Sequence, residues 1–313
     1  MLFSVLIANY NNSPYLKTAL ESVLAQTYPN WEVILVDDCS TDNFAAVMEE
    51  YLSDERIKLY HNGRNRGCGY TKRRCASLAN GEIMGFLDPD DALQPNALKI
   101  LCIAHQADPE ASIIHSTHYI CNQELEPCRI AAYPKALPAG VPYLLLNDGS
   151  VHHFASFKKY CYQQTQGIAP DNKKAVDQDL YYLLEETGSI HFIDIPLYYY
   201  RIHENSISTM GKEWESTQWH HQVIQEACMR RIQQQKLLKN GNNNWIRKYR
   251  THYYKIAIFR NYRNKRWIPF LSSLFIFPFV GGFGNILSYI AKLPKGGIKM
   301  IRRSFHYDHQ IKV

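Results

Sequence analysis

A chain of 313 residues with 46% hydrophobic and 13% aromatic residues can bury one large core, or a large domain with a smaller appendage, which excludes a globally disordered protein. The net charge of +6 is unevenly placed: Trp245 to Val313 carries fourteen Lys/Arg against one acidic residue, Asp308, while the rest of the chain is net acidic. Eight cysteines without a CxxC pair or a zinc-spaced Cys/His set point to reduced packing residues in a reducing, cytoplasmic compartment, and a Cys121–Cys128 bridge is disfavoured there.

The apolar opening Met1 to Ala8 lacks a basic leader and a small-residue cleavage site, so it is expected as a first strand and not as a signal peptide. Phe3 to Ala8 is that strand. Ser13-Pro14 starts a helix with Leu16, Leu20, Val23 and Leu24 on one stripe, and Tyr28-Pro29-Asn30 stops it. Glu32 to Val36 is a strand apolar enough to be buried on both faces, and Asp37-Asp38 end it. The pattern then predicts a helix over Asn43 to Leu52, a strand over Ile57 to Tyr60, a helix over Tyr70 to Ala79 and a strand over Glu82 to Leu87, followed at once by Asp88-Pro89-Asp90-Asp91. Such alternation is the signature of βαβ units, and open parallel sheets bind ligands beyond their strand carboxyl ends.

Gln94-Pro95-Asn96 opens a helix to about Ala107, and Ser112 to Ser116 is a strand. The stretch to about Gly167, rich in Tyr, His and Pro, has no clear period. A helix over Asp177 to Thr187, a strand over Ile190 to Ile195 and a long polar helix over Trp214 to Lys239 come next. Gly241-Asn242-Asn243-Asn244 suggests a boundary. The expected domains are thus a catalytic domain over 1–240, with halves 1–110 and 111–210 and a helix over 211–240, and a basic, apolar helical region over 241–313.

Two acidic clusters ending strands of one sheet carry the chemical argument. Asp88-Pro89-Asp90 supplies two carboxylates in a tight turn, suited to a divalent cation that neutralises charge on a departing diphosphate. Turn formation and capping of the next helix explain the same residues, as they do Asp37 to Asp42. Convergence in one crevice favours a site, because like charges repel unless a cation or donors compensate them.

The segments Val5 to Asn11, Ser22 to Asp42 and Gly81 to Asp91 together resemble the family 2 inverting glycosyltransferases, densely over about the first 100 residues and on to about residue 208. The resemblance implies an α/β fold of the GT-A nucleotide-diphospho-sugar transferase type, with a mostly parallel central sheet flanked by helices and here a C-terminal helical extension. It implies transfer of a sugar, a hexose or N-acetylhexosamine, from a nucleotide-sugar (a UDP-sugar) to a hydroxyl of a surface glycan or lipid-linked saccharide, with Mn²⁺ or Mg²⁺ as cofactor. Ala8, Asn9 and Tyr10 would wall the base, Asp38 would meet the base, Asp88 the ribose, and Asp90 the metal. Val176-Asp177-Gln178-Asp179 is similar to the family's later Glu-Asp element and implies Asp177 as catalytic base, with Asp179 as fallback and Val176 in place of the usual Glu. First-turn carboxylates that answer the helix dipole are the plain alternative.

Tyr200-Arg201-Ile202-His203 resembles the family's Tyr-Arg-x-His ending, which implies Arg201 on the pyrophosphate and His203 in the metal shell; Arg201 paired with an acid and an exposed His203 is the other reading. Where relatives show Arg-Asn this chain has Lys72-Arg73, so Lys72 keeps a phosphate-binding charge without a bidentate fork. His152-His153 and His220-His221 have no ligand constellation around them. A dehydrogenase is excluded because Asn9-Tyr10-Asn11-Asn12 stands where a Gly-rich turn is needed, and no P-loop occurs. A non-catalytic sugar-binding protein that keeps the fold is the remaining alternative, against which the filled stations Asp38, Asp88, Asp90 and Asp177 argue.

Trp267 to Ala291 has no charged residue, but Pro269, Pro278, Gly281-Gly282 and Gly284 interrupt it, so a surface-lying or re-entrant helical pair is expected over a span. With Arg260, Arg263, Lys265 and Arg266 before the run and Lys292, Lys295, Lys299, Arg302 and Arg303 after it, the expected partner is an anionic membrane surface at the inner face of the cell membrane, and no nucleic acid. A helical pair packed on protein is the alternative.

Overall fold

The computed structural model describes residues 1–146, 148–203, 213–237 and 243–281. The chain alternates β1 (Phe3–Asn9), α1 (Ser13–Leu24), β2 (Trp31–Asp37), α2 (Phe44–Glu49), β3 (Ile57–His61), α3 (Cys68–Leu78) and β4 (Ile83–Phe86). Pro14 sits in the first turn of α1, where no intrahelical N–H is needed, and Leu16, Ala19, Leu20 and Val23 form its buried stripe. Every residue of β2 is buried, as the near-continuous apolar run requires when both faces of a parallel sheet are covered. β1 to β4 are mutually parallel in the order β3-β2-β1-β4. β2 and β3 are laid on one side of β1 and β4 on the other, so the strand order switches at β1, which opens a crevice at the carboxyl ends of these parallel strands.

Beyond β4 come β5 (Ala92–Leu93), α4 (Ala97–Ala107), β6 (Ala111–Cys121), β7 (Pro127–Ile130), α5 (Tyr143–Leu146), β8 (Ala155–Lys158), α6 (Lys159–Gln163), α7 (Val176–Leu184) and β9 (Ser189–Arg201). The sheet continues β4-β8-β6-β9-β5, with β7 on β6. Here it is mixed, not mostly parallel: β8 runs antiparallel to β4 and β6, β5 antiparallel to β9, and only β6 and β9 are parallel. β6 extends to Cys121, well past the expected Ser116, because His115, Ser116, Thr117 and His118 are buried despite their polarity. β9 runs through Pro196 at the cost of a register shift, since proline has no N–H to give the ladder.

α8 (Glu213–Leu237), α9 (Asn243–Arg263) and α10 (Trp267–Gly281) follow. The chain forms two compact units, one of Met1–Ala139 with Ser150–Glu213, the other of Gly140–Gly149 with the chain from Trp214 onward. The division falls after Glu213, the first residue of α8, where the sequence reading carries the catalytic domain to residue 240; of the expected boundary Gly241-Asn242-Asn243-Asn244, Gly241 and Asn242 lie outside the described residues and Asn243 begins α9. α8 goes with the later helices because Trp214 and His221 pack edge-on against Phe259 of α9 and Gln218 donates to Asn264 at 2.8 Å. Within the second unit α10 packs on α9 through Phe270, Leu274 and Phe277 around Tyr254 and Ile258.

Candidate active site

The first wall of the crevice is a pair of loops tied by side chains. Asn9, at the end of β1, is buried and donates its Nδ2 to Asp37 at 2.9 Å and to Ser40 Oγ at 3.2 Å. The Ser40 hydroxyl donates to Asp37 and accepts the Asn11 amide at 2.9 Å, while Asn11 Oδ1 accepts the Thr41 amide at 2.8 Å. Asn11 and Cys39 both adopt left-handed backbone, with φ of 53° and 64°, and these contacts hold them there. Ala8 is half-buried and Tyr10 exposed, so of the three expected wall residues Asn9 is the one turned inward.

Asp38 is buried and accepts three donors: Asn62 Nδ2 at 2.7 Å and the amides of Arg66 and Gly67 at 2.8 Å each. Gly67 takes φ 87°, a conformation glycine reaches without a Cβ penalty, and this aims its N–H at the carboxylate. A carboxylate with this many protein donors pins the 62–67 loop beside the crevice.

Asp88, just past β4, faces two cationic or potentially cationic groups. Lys72 Nζ lies 3.2 Å from Asp88 Oδ1 and 2.7 Å from Asp177 Oδ1. His153 Nε2 lies 3.8 Å from Asp88 Oδ2, and its ring stacks on Tyr198 and Tyr200 at 5.3 and 6.0 Å. Lys72 is buried; desolvation opposes its charge, but Asp177 and Asp88 outweigh it and hold the amine well above its usual value. Residues 16 and 105 positions from Lys72 thus meet on one ammonium. The first turn of α3 makes this possible: Gly69 N–H donates to Asn172 carbonyl at 3.0 Å, and a Cβ on Gly69 would lie 2.5 Å from the Ala169 carbonyl oxygen.

Asp177 and Asp179 share the start of α7 but differ in access. The Asp177 side chain is 32% exposed, whereas Asp179 is 1% exposed and accepts Asn172 Nδ2 at 3.2 Å. Only the first borders the open crevice.

The Asp88–Asp91 turn is bound to the end of β9. Tyr198 hydroxyl donates to Asp91 Oδ2 at 2.8 Å and accepts the Asp88 amide at 3.2 Å; Arg201 amide donates to Asp91 Oδ1 at 2.7 Å. Burial and the neighbouring Asp90 and Asp88 push the Asp91 carboxyl well up, against the hydrogen bonds from Arg201 and Tyr198. Arg201 Nε donates to the Asp90 carbonyl at 2.6 Å and its Nη1 to the Gln123 carbonyl, with the guanidinium over the Tyr15 ring at 4.9 Å. Among the described residues the guanidinium of Arg201 therefore meets backbone carbonyls and an aromatic face. Asp90 Oδ2 lies 3.0 Å from His203 Nε2, and His203 packs on the other partner of Arg201, Tyr15, at 4.6 Å.

Asp90 and His203 give one carboxylate oxygen and one imidazole nitrogen at a common point, a donor set that suits Mn²⁺ better than the all-oxygen preference of Mg²⁺. Among the described residues no three His, Cys, Asp or Glu side chains gather as a ready metal set, so remaining ligands would come from a diphosphate and water. Sequence reasoning missed His153, Tyr15, Asn62 and the role of Tyr198 and Asp91. For the first three nothing local signals a site, because their partners are far along the chain; Asp91, directly after Asp-x-Asp, could have been noticed.

A mixed sheet with aspartates at the carboxyl ends of β2 and β4, an Asp-x-Asp turn and a helix-borne acid facing it defines the GT-A class of α/β folds. The family model described as glycosyl transferase family 2 matches residues 4–159. Chondroitin synthase of Escherichia coli is 27% identical over 249 residues, 79% of this chain and 36% of that protein. Among solved structures, S. aureus TarS 1-349 in complex with UDP-GlcNAc superposes with TM-score 0.63 at 15% identity, covering 97% of this chain and 85% of that one. The mannosyltransferase PcManGT from Pyrobaculum calidifontis, in complex with GDP-Man and Mn²⁺, does so with TM-score 0.55 at 15% identity, covering 96% and 81%. The chain belongs to glycosyltransferase family 2. Its matches cover 36%, 50% and 65% of the length of three of its curated relatives.

Proposed function

We propose that this chain transfers a hexose or N-acetylhexosamine from a nucleotide-sugar, a UDP-sugar in the first instance, to a hydroxyl of a surface glycan or lipid-linked saccharide, with inversion at the anomeric carbon. The observation that carries the proposal is the meeting of Asp88, Asp177 and Lys72 next to the Asp90–His203 pair. Ala8, Asn9 and Tyr10 wall the base and Asp38 meets it, Asp88 takes the ribose, and Asp177 accepts the acceptor's proton. Arg201 and Lys72 bring positive charge towards the diphosphate, Arg201 chiefly by holding the turn. Bound at Asp90 and His203, Mn²⁺ or Mg²⁺ would neutralise charge on the departing diphosphate. The TarS and PcManGT complexes support a nucleotide-sugar donor and a divalent cation.

The membrane reading is part of the proposal. Among the described residues no helix is long and apolar enough to cross a membrane. α10 instead has one face packed on α9 and another that leaves Ile268, Leu271, Phe275 and Phe279 exposed, beside the cations Arg260, Arg263, Lys265 and Arg266. That arrangement supports a helix lying on an anionic surface, at the inner face of the cell membrane. Free cysteines throughout, Cys121 and Cys128 included, accord with the cytoplasmic side. Residues 282–291 of the apolar run, and the cations after it, lie outside the described residues.

Incubating the purified chain with Mn²⁺, a panel of nucleotide-sugars and saccharide acceptors tests the assignment. Release of nucleoside diphosphate with an inverted product is expected, lost with Asp90→Asn and lowered about 10² or more with Asp177→Asn, the usual scale for a general base. Binding of donor without any release would favour the non-catalytic reading, and full activity of Asp177→Asn alongside a dead Asp179→Asn would reassign the base.

A further inference from the structure

The ammonium of Lys72 stands where a base should be free. A carboxylate whose Oδ1 lies 2.7 Å from a buried ammonium is already receiving a proton-bearing partner, so Asp177 is poorly placed to take another proton while Lys72 stays there. Among the described residues Lys72 has two hydrogen-bond partners, Asp177 and Asp88, and an ammonium carries three donors. Both partners are about a third exposed, at 32% and 29%, so the cation is covered by protein but borders the open crevice through them. A diphosphate entering beside Asp88 brings negative charge to a cluster that holds two carboxylates for one ammonium.

We propose that Lys72 is a positioning switch: without donor it ties Asp177 to Asp88, and on donor binding its ammonium turns to the diphosphate oxygens and releases Asp177 to act as base. The inference rests on the proposed glycosyl transfer. In the transfer step the acceptor oxygen bonds to the anomeric carbon, the bond from that carbon to the phosphate oxygen breaks with its electron pair leaving on the diphosphate, and the acceptor proton goes to the freed Asp177. The geometry favours a switch over a fixed tie because Lys72 is a single point charge on a flexible stem, unlike the bidentate fork of an arginine. Its consequence is order: the base is competent only after the donor has arrived.

The test is a double-mutant cycle on nucleoside diphosphate affinity. UDP and, in parallel, GDP are titrated with Mn²⁺ into the full chain, into Asp177→Asn, into Lys72→Met and into the double variant, by calorimetry. If the ammonium must leave Asp177 to reach the diphosphate, Asp177→Asn binds about fivefold to tenfold tighter than the wild type, and in the Lys72→Met background this gain disappears. Simple repulsion between Asp177 and the ligand would give the same gain in both backgrounds and would overturn the switch. So would unchanged or weaker binding by Asp177→Asn alone, which decides the matter even if Lys72→Met does not fold. Failure of the wild type to bind either nucleotide sinks the nucleotide-sugar reading itself, a result distinct from normal wild-type binding without the gain.

Discussion

Tyr198 and Asp91 form a buried hydrogen bond of 2.8 Å that fastens the Asp88–Asp91 turn to β9. The same hydroxyl accepts the Asp88 amide, so one phenol oxygen orients both ends of the Asp-x-Asp turn. Burial, with Asp91 and Asp88 close by, drives the Tyr198 phenol well up and keeps it a donor. Tyr198→Phe should destabilise the protein by about 1–3 kcal/mol, the cost of stranding buried polar partners. It should also raise the Mn²⁺ concentration needed for half-maximal activity, because Asp90 loses its anchor. A melting temperature and a Mn²⁺ dependence equal to wild type would remove this role.

Gly69→Ala tests how Lys72 is delivered. A Cβ there would sit 2.5 and 2.6 Å from two carbonyl oxygens, of Ala169 and Asn172, and backbone cannot yield as a side-chain tip can. The first turn of α3 must then move away from the loop that leads into α7, carrying Lys72 from Asp177. The expected outcome is a fall in kcat of at least about tenfold, with transition-state stabilisation lost for a displacement of about 1 Å. Retained kcat in a folded variant would mean the loop follows the helix.

The buried histidines set an acid limit. Burial pulls His105, His115 and His118 down to about 3, from an ordinary 6.5. Each is therefore neutral in the folded chain and protonated in the unfolded chain between these values, so stability is complete above about pH 6.5 and is lost as pH falls from there towards 3. At pH 5.5 each costs about 1.4 kcal/mol. His115 is the cleanest probe, since neither ring nitrogen has a hydrogen-bond partner among the described residues. His115→Leu should melt higher than wild type at pH 5.5, by a margin that shrinks at pH 7.5. A margin independent of pH would assign the effect to packing alone.

Vesicle binding checks the second unit. Phe275→Ser with Phe279→Ser, both exposed on α10, should leave the melting temperature nearly unchanged and weaken sedimentation with vesicles of anionic phospholipid. Raising salt should weaken the wild type in the same assay, as screening requires. Tight self-association of the wild type, abolished by the same substitutions, with no vesicle binding at low salt, would point to a protein interface.

The sequence by itself determined the βαβ half of the fold and the acidic stations, because both are written locally. Period and turn chemistry place β1 to β4, and Asp37-Asp38 and Asp88 to Asp91 follow directly on strands whose carboxyl ends must face one crevice. The basic, apolar C-terminal composition was equally legible. Tertiary structure alone decided what these residues touch. β6 runs longer than its apolar stretch because polar side chains are buried between neighbouring strands, a choice no window of sequence records. Asp177 and Asp179, two residues apart and alike in type, are separated only by which side of α7 the first unit covers. Arg201 is legible as a cation near the site, but that its guanidinium meets the backbone carbonyls of Asp90 and Gln123 is set by the fold. Lys72, Asp88, His153 and Asp177 converge from loops and helices up to 105 positions apart, and electrostatic coupling depends on distance in space, which the linear order of the chain does not carry.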